Sequence, residues 1–428
     1  MDKPQIDVRD KGFKNLPSLA KALENVYKRV SLFDTEIVDL RQYTYYQVKI
    51  LAEDVKAIYS VPNFTRATMD GFAIISDDTT ETTTSNPLYL TVIEELTIKE
   101  ASKHTLNHNQ AIKIPTGGVL PSGADCVIKI EDVIVEKTHD DYKLKITRWI
   151  ESGKNISEKG EDYQKDDIIL KKGRLLTPVD VGVLISAGIS RIKCFKSPKI
   201  GVISTGDELV DEDRELTAGE VYESNSFVLI QYLSQLGFAV KRYQMIRDDY
   251  TSIKERMEEI MNENDFIIST GGTSTGNKDF IPLILNELSN VIVHGVSIRP
   301  GSPTTFGMRN NKYFLGLPGF PVSSLLSFSF FGLPIILHMM GSVNVSFLKV
   351  KAFLAESFSS VKGKTEFLRV SLDYTDGKIV AKPIRVTGSS LLHTLSQSDG
   401  IVIFDDETEK ISKNEIVNVV IIDKLVNY

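Results

Sequence analysis

Cysteine is nearly absent from this chain: Cys126 and Cys194 are the two among 428 residues. A disulfide framework or a cysteine-based zinc site is therefore excluded, and each thiol reads as a small buried hydrophobe. Histidine is scarce as well, with six in all. The one pair at helical spacing, His104 and His108, lies in a polar stretch without a metal-ligand motif and reads as surface. No long hydrophobic run survives uninterrupted. The richest, residues 325–340, is broken by Ser327, Ser329, Gly332, Pro334 and His338, and it falls short of a membrane span. The N-terminal Met-Asp-Lys-Pro opens no apolar signal core, so a cytoplasmic protein is expected, with no membrane partner. A net charge of -7, from 50 basic and 57 acidic residues, excludes a broad nucleic-acid footprint. It leaves room for an anionic small molecule, because helix N-termini and local arginines bind anions against the global sign.

What is present is an ordinary globular composition, 42% hydrophobic and 25% charged, long enough for roughly two to four domains. The first 60 residues read as helical. Ala20, Leu23, Val26, Val30 and Phe33 share one stripe, and a second helical stretch is expected from Tyr43 into Ser60. Residues 88–150 switch to a period near two, the mark of a β-rich module. A helix returns before Gly188, with Thr177 as N-cap and Pro178 at its first position. From Lys199 onward strand-like and helix-like runs alternate, which predicts a parallel sheet covered by helices. From about Ser346 the pattern is again that of strands.

The turns of the alternating region carry the chemistry. "STGGTSTGNKDF" (269–280) places Gly271, Gly272 and Gly276 where backbone must approach something closely. Its N–H groups, with the hydroxyls of Ser274 and Thr275, suit an anion nest at a helix N-terminus. A tight ligand-free turn explains the same residues equally well. It is neither a P-loop nor a G-x-G-x-x-G motif. Asp207 and Glu208, then Asp248 and Asp249, end the two preceding strands, and Asp279 follows the glycine-rich turn. In a parallel sheet all five reach one rim, where hard oxygen ligands beside a phosphate suit Mg2+. Helix capping competes for Glu208, Asp248 and Asp249, whereas Asp279 favours the metal. Arg299 in "SIRPGSPTTFG" offers a bidentate fork to an oxyanion, or else is simply solvated.

Taken together, "ATMDGFAI", "IPTGGVLPSGADCVIKIED", "ISTGDEL", "YESNSFVL", "STGGTSTGNKDF", "IRPGSPTTFG" and "LGLPGFPVS" resemble, in order, the motifs of the molybdopterin molybdenumtransferases, the MoeA family. The resemblance spans nearly the whole chain. It implies a multidomain α/β and β fold: a central three-layer α/β molybdopterin-binding domain (195–345), an inserted β-rich domain (61–159), a discontinuous helical linker-like domain (1–60 and 160–194) and a C-terminal β-barrel-like domain (346–428). It also implies a homodimer that inserts molybdate into adenylylated molybdopterin, with Mg2+-dependent release of AMP, supplied by a molybdopterin adenylyltransferase. Gly271, Gly272, Ser274 and Gly276 would hold the pterin phosphate or adenylate. Asp279 would bind the metal, with Asp248 and Glu208 beside it. Asp70 and Thr116 would complete the cleft from across the dimer. Arg299, Ser302, Pro303, Arg369 and Ser389 would meet the oxyanion.

Two positions depart from the family. Its usual Lys-Pro-Gly-Lys-Pro reads Arg299-Pro300-Gly301-Ser302-Pro303, and its Leu-Pro-Gly-Asn-Pro reads Leu317-Pro318-Gly319-Phe320-Pro321. Losing a cation at Ser302 would cost about 1.5–3 kcal/mol, or roughly ten- to a hundred-fold in oxyanion affinity. Tungstate use, pterin binding without insertion and a gephyrin-like scaffold stay open as alternatives. Replacing Asp279 by alanine is expected to abolish magnesium-dependent turnover. Full turnover in that variant would move the metal elsewhere.

Overall fold

The computed structural model describes residues 16–44, 47–137, 142–273, 280–343, 345–384 and 388–427. The chain divides into two compact units, one of residues 1–53, 171–178 and 191–428, the other of residues 54–170 and 179–190.

In the first unit the runs Ile200–Ser204 and Phe266–Thr270 are buried at every position. Strands reach that state only inside a sheet covered on both faces. They occupy the middle of a six-stranded sheet ordered Val240–Arg242, Ile200–Ser204, Phe266–Thr270, Lys312–Leu317, Thr305–Arg309, Asn290–His294. The first four strands run parallel, as their alternation with helices predicts. Thr305–Arg309 runs against them, because Asn310 and Asn311, both at positive φ, turn the chain tightly into Lys312–Leu317, and the edge strand Asn290–His294, antiparallel to Thr305–Arg309, runs with the first four. Alternate side chains of Phe266–Thr270 enter opposite cores. Phe266 and Ile268 pack with Leu229 and Leu233 of helix Asn225–Gln235. Ile267 packs with Ile253, Met257 and Ile260 of helix Tyr250–Glu263 and Ile284 of helix Ile281–Leu288. This is the expected three-layer arrangement.

The apolar run after Phe320 forms one continuous helical segment, Pro321–Met339, long and apolar enough to cross a membrane at a mean hydropathy of 1.7, yet 89% buried inside the fold. Its middle, Phe328–Gly332, is a π-turn just ahead of Pro334. A proline has no N–H to give the preceding turn and crowds the carbonyl four residues back, and a wider turn relieves both. The C-terminal strands close on themselves. Thr365–Thr375 pairs with Lys378–Pro383 on one side and with Gly400–Phe404 on the other, and Val345–Leu354 and Ile416–Asn427 complete the ring.

The N-terminal helical reading is corrected. The helix there is Leu19–Tyr27, capped by Ser18; Thr35–Asp39 is a strand, and no helix forms among the described residues between 47 and 60. Val48, Lys49, Ile50 and Leu51 are buried in succession, which no single helical stripe allows. Their backbone pairs instead with Gly237, Arg174, Leu176 and Phe195. Tertiary pairing outweighed a weak local periodicity.

The second unit holds a six-stranded sheet ordered Cys126–Lys129, Gly71–Ile74, Gln110–Ile114, Leu88–Glu95, Tyr142–Ile146, Ile134–Lys137. Helix Pro178–Ser186 starts at the expected proline and belongs to this unit from Val179 onward, and Gly188 beyond it lies at φ +80. Cys126 and Cys194 are both buried free thiols, and burial raises the pKa of each.

Ile268 is fully buried at the centre of the covered sheet. Ile268→Ala should lower the unfolding free energy by about 2–5 kcal/mol. A urea titration showing a loss below about 1 kcal/mol would contradict this placement of the core.

Candidate functional site

Ligands of open α/β sheets bind beyond the carboxyl ends of the strands, where neighbouring strands send the chain to opposite sides. Here Ile200–Ser204 is followed in sequence by the strand on its outer side, Val240–Arg242, and the chain then crosses back to Phe266–Thr270 on the inner side. The reversal falls between Ile200–Ser204 and Phe266–Thr270. A cleft of about 820 Å3 is lined by the turns at the carboxyl ends of these strands: Thr205, Gly206 and Glu208 after the first, Asp248 after Val240–Arg242, and Gly271, Gly272 and Thr273 after Phe266–Thr270.

Its floor is backbone. The Thr205 amide donates to Thr270 O at 2.9 Å and the Gly271 amide to Leu317 O at 3.1 Å. Gly271 lies at φ +89, and a Cβ there would stand 2.2 Å from Thr205 O. No other residue type fits that approach. Thr273 Oγ1 donates to Leu317 O at 3.2 Å and closes the inner edge.

The rim is acidic, but the carboxylates have separated roles. Asp207 accepts the amide of Asp248 at 3.1 Å. Asp249 caps helix Tyr250–Glu263 by accepting the Ser252 amide at 2.7 Å. Hydrogen bonds from Ser252, side chain and then amide, hold its carboxyl below the usual range. Glu208 and Asp248 line the cleft. Among the described residues no cluster of three metal-ligating side chains exists. Two carboxylates still suit Mg2+, which takes one or two from protein and the rest from water and ligand phosphate. Ser274, Gly276 and Asp279 lie outside the described residues.

The Arg299–Pro303 turn contributes unevenly. Pro303 lines the cleft. Gly301 is at φ +118, and a Cβ there would meet Ser327 Oγ at 2.1 Å, so the turn packs tightly on the buried helical segment. Ser302 Oγ donates to Ile298 O at 2.7 Å and closes the turn on itself. Arg299 Nη1 lies 3.6 Å from Oε1 of the buried Glu366. Arg369 is buried on the same strand, Thr365–Thr375. Ser389 O accepts the Val322 amide at 3.0 Å, and the next residue, Ser390, lines the cleft.

Asp70 and Thr116 belong to the other compact unit, where the Thr116 amide donates to Asp70 Oδ1 at 2.7 Å. That bond, with a smaller contribution from the Thr116 side chain, lowers the Asp70 pKa below its ordinary 3.8. The bond is therefore intact at neutral pH and is lost only as pH falls through the depressed value.

Sequence reasoning missed Glu223. It lines the cleft at 5% exposure. Its carboxylate accepts Ser204 Oγ at 2.8 Å, the Ser226 amide at 2.9 Å and the Ser226 hydroxyl, and it faces Arg242 Nη2 at 3.3 Å. Arg242 also donates from Nε to Ser226 Oγ at 2.8 Å, and its guanidinium sits 3.9 Å from the centre of the Phe227 ring. Ser204 Oγ in turn shares a 2.8 Å hydrogen bond with Thr270 Oγ1, so one buried carboxylate ties together both strands beneath the cleft and the start of a helix. The sequence signal was an acid followed by Ser224 and Ser226 at the start of a helix, which resembles an ordinary cap.

A glycine-floored, acid-rimmed cleft at a strand reversal, on a sheet in the same compact unit as a closed β-barrel, defines a multidomain α/β and β protein with its candidate ligand site at the strand ends. Comparison with known proteins narrows the class. Residues 17–188 match the family model described as the MoeA N-terminal region (domain I and II). Residues 201–338 match the one described as a probable molybdopterin binding domain, and residues 351–422 the MoeA C-terminal region (domain IV). A Methanocaldococcus jannaschii chain, provisionally named for molybdopterin biosynthesis, is 33% identical over 95% of this chain and 98% of its own length. A Staphylococcus aureus molybdopterin molybdenumtransferase is 31% identical over 87% of this chain and 88% of its own. The crystal structure of a molybdopterin biosynthesis moeA protein from Pyrococcus horikoshii superposes with a TM-score of 0.79 at 31% identity, covering 95% of this chain and all of that one. The chain belongs to the MoeA family of molybdopterin molybdenumtransferases. It is a transferase, acting in molybdenum cofactor biosynthesis by molybdenum transfer.

Removing Glu223 takes away the acceptor of Ser204 Oγ, the Ser226 amide and the Ser226 hydroxyl, and one of the two carboxylates facing Arg242, the other being Asp211 at 3.9 Å. Glu223→Ala should cost about 1–3 kcal/mol, and Glu223→Gln, which keeps the shape and one acceptor, less. Equal thermal unfolding midpoints for both variants and the parent chain would show that the network is dispensable.

Proposed function

We propose that this chain inserts molybdate into adenylylated molybdopterin with Mg2+-dependent release of AMP. The observation that carries the reading is the cleft at the strand reversal, where the Gly271–Gly272 turn, Glu208 and Asp248 line one space. The turn would seat the ligand's phosphates, since its backbone can approach a ligand closely and its residues precede a helix N-terminus. Glu208 and Asp248 are the described residues that would hold Mg2+, with Asp279 added from the adjoining segment. When bound, Mg2+ supplies neutralisation of phosphate charge. The protein residues bind and orient the phosphates. AMP leaves as the phosphoanhydride bond to the pterin phosphate breaks, and the oxygen that attacks comes from molybdate or water rather than from a protein nucleophile.

The same reading assigns Arg299, Ser302, Pro303, Arg369 and Ser389 to the oxyanion and divides the chain into the four domains that its motifs imply. It takes the working form to be a homodimer in which Asp70 and Thr116 complete the partner's cleft. It places the reaction in the cytoplasm, which suits two free buried thiols, and downstream of a molybdopterin adenylyltransferase. Insertion of tungstate is the second reading. It is favoured by Ser302, whose hydroxyl is engaged by Ile298 O where the family usually has a cation.

Purified chain incubated with adenylylated molybdopterin and Mg2+ should release AMP on addition of molybdate. Glu208→Gln or Asp248→Asn should slow that release on the order of ten-fold or more. Release with tungstate alone would select the second reading, and the absence of oxyanion-dependent release with either would sink both.

A further inference from the structure

Phe320 stands where water should be least welcome to it. It is 58% exposed, although it lies in the wall of the cleft rather than on an outer surface. Pro318 and Pro321 flank its short segment, and Gly319 O accepts a 2.6 Å hydrogen bond from Asn225 Nδ2. The ring is thus carried on a stiff backbone tied to the helix that begins just after Tyr222. Tyr222 lines the same cleft at 43% exposure, and its hydroxyl donates to Arg214 O at 2.8 Å, which fixes the orientation of that ring too. The cleft therefore combines a backbone floor that suits phosphate with two aromatic side chains, Tyr222 anchored through its hydroxyl and Phe320 carried on a braced backbone. Phe320 can make no hydrogen bond, so its contribution to a ligand is an apolar π-face.

We propose that Phe320 is a specificity-determining residue that stacks on the flat nitrogen heterocycle of the bound ligand, with Tyr222 as the second aromatic wall. This rests on the reading that the cleft takes an adenylylated pterin. That ligand carries two such rings, the pterin and the adenine, and both present the same chemistry to Phe320. Stacking of this kind tolerates ring identity and depends on aromatic area, so Phe320→Tyr and Phe320→Trp retain it while Phe320→Ala loses it.

The chain has a single tryptophan, Trp149, so Phe320→Trp in a Trp149→Phe background reports on the cleft alone. Titration with AMP and, separately, with molybdopterin should quench that fluorescence. Phe320→Ala should weaken binding of at least one of the two about ten-fold, while ribose 5-phosphate, which has no aromatic ring, binds it as it binds the parent. The unfolding midpoint of Phe320→Ala should stay that of the parent, because the ring is exposed. Weakening for AMP alone assigns the stack to adenine, and for molybdopterin alone to the pterin. Unchanged affinity for both, in a parent chain that binds both, overturns the role of Phe320. Failure of the parent chain to bind either overturns the reading of the cleft itself, and the inference with it.

Discussion

The absence of a side chain at Gly271 is the constraint on which the site depends. Thr205 O occupies the space a Cβ would take, 2.2 Å from its ideal position. That approach lets the turns after Ile200–Ser204 and Phe266–Thr270 close over one another, with the Thr205 amide on Thr270 O and the Gly271 amide on Leu317 O. Three neighbouring parallel strands are stitched together at their carboxyl ends by these backbone bonds, with the Ser204–Thr270 hydroxyl pair and Thr273 Oγ1 on Leu317 O added to them. The cleft opens above that seam, because the strand order reverses there and the chain leaves in opposite directions. A larger residue at Gly271 would force the turns apart and remove the floor of the cleft.

Below the seam the fold accepts a buried charge. Glu223 is buried and faces the half-buried Arg242, with the Ser226 hydroxyl bonded to both and the Ser204 hydroxyl on the carboxylate. Two apolar residues of similar volume would fill the space as well or better, since desolvating an ion pair consumes most of what the pair returns. What the carboxylate achieves is direction: it has acceptors enough to hold a strand end, a helix start and a neighbouring strand in one register. The cleft floor is positioned by this polar network, and the hydrophobic layers around it supply the stability.

The alternating half of the chain was legible because each of its signals is local. Strands buried on both faces show as unbroken β-branched runs, helices as one apolar stripe, and the turns between them as Gly and Asp. The fully buried Ile200–Ser204 and Phe266–Thr270 and the helices Asn225–Gln235, Tyr250–Glu263 and Ile281–Leu288 conform to that pattern. Residues 47–60 were not legible. Their apolar spacing fits a helix, but Val48, Lys49, Ile50 and Leu51 are held extended by partners far along the chain. The acidic turns were half legible. Five carboxylates were expected at one rim, with Asp279 favoured for the metal, and only hydrogen bonding separated Asp249, a helix cap, from Glu208 and Asp248, which face the cleft.

By itself the sequence determined the alternation of strands and helices, the glycine-rich turn and the succession of motifs by which the chain resembles its family. All of these arise from preferences acting over a few residues. The tertiary structure alone decided which carboxylate caps and which lines the cleft, that Ser302 spends its hydroxyl on Ile298 O, and that Glu223 is the buried hub beneath the floor. Those outcomes depend on meetings such as that of Ser204 with Thr270, 66 residues apart. A hydrogen bond is decided by tenths of an ångström, and such precision exists only once the sheet has assembled.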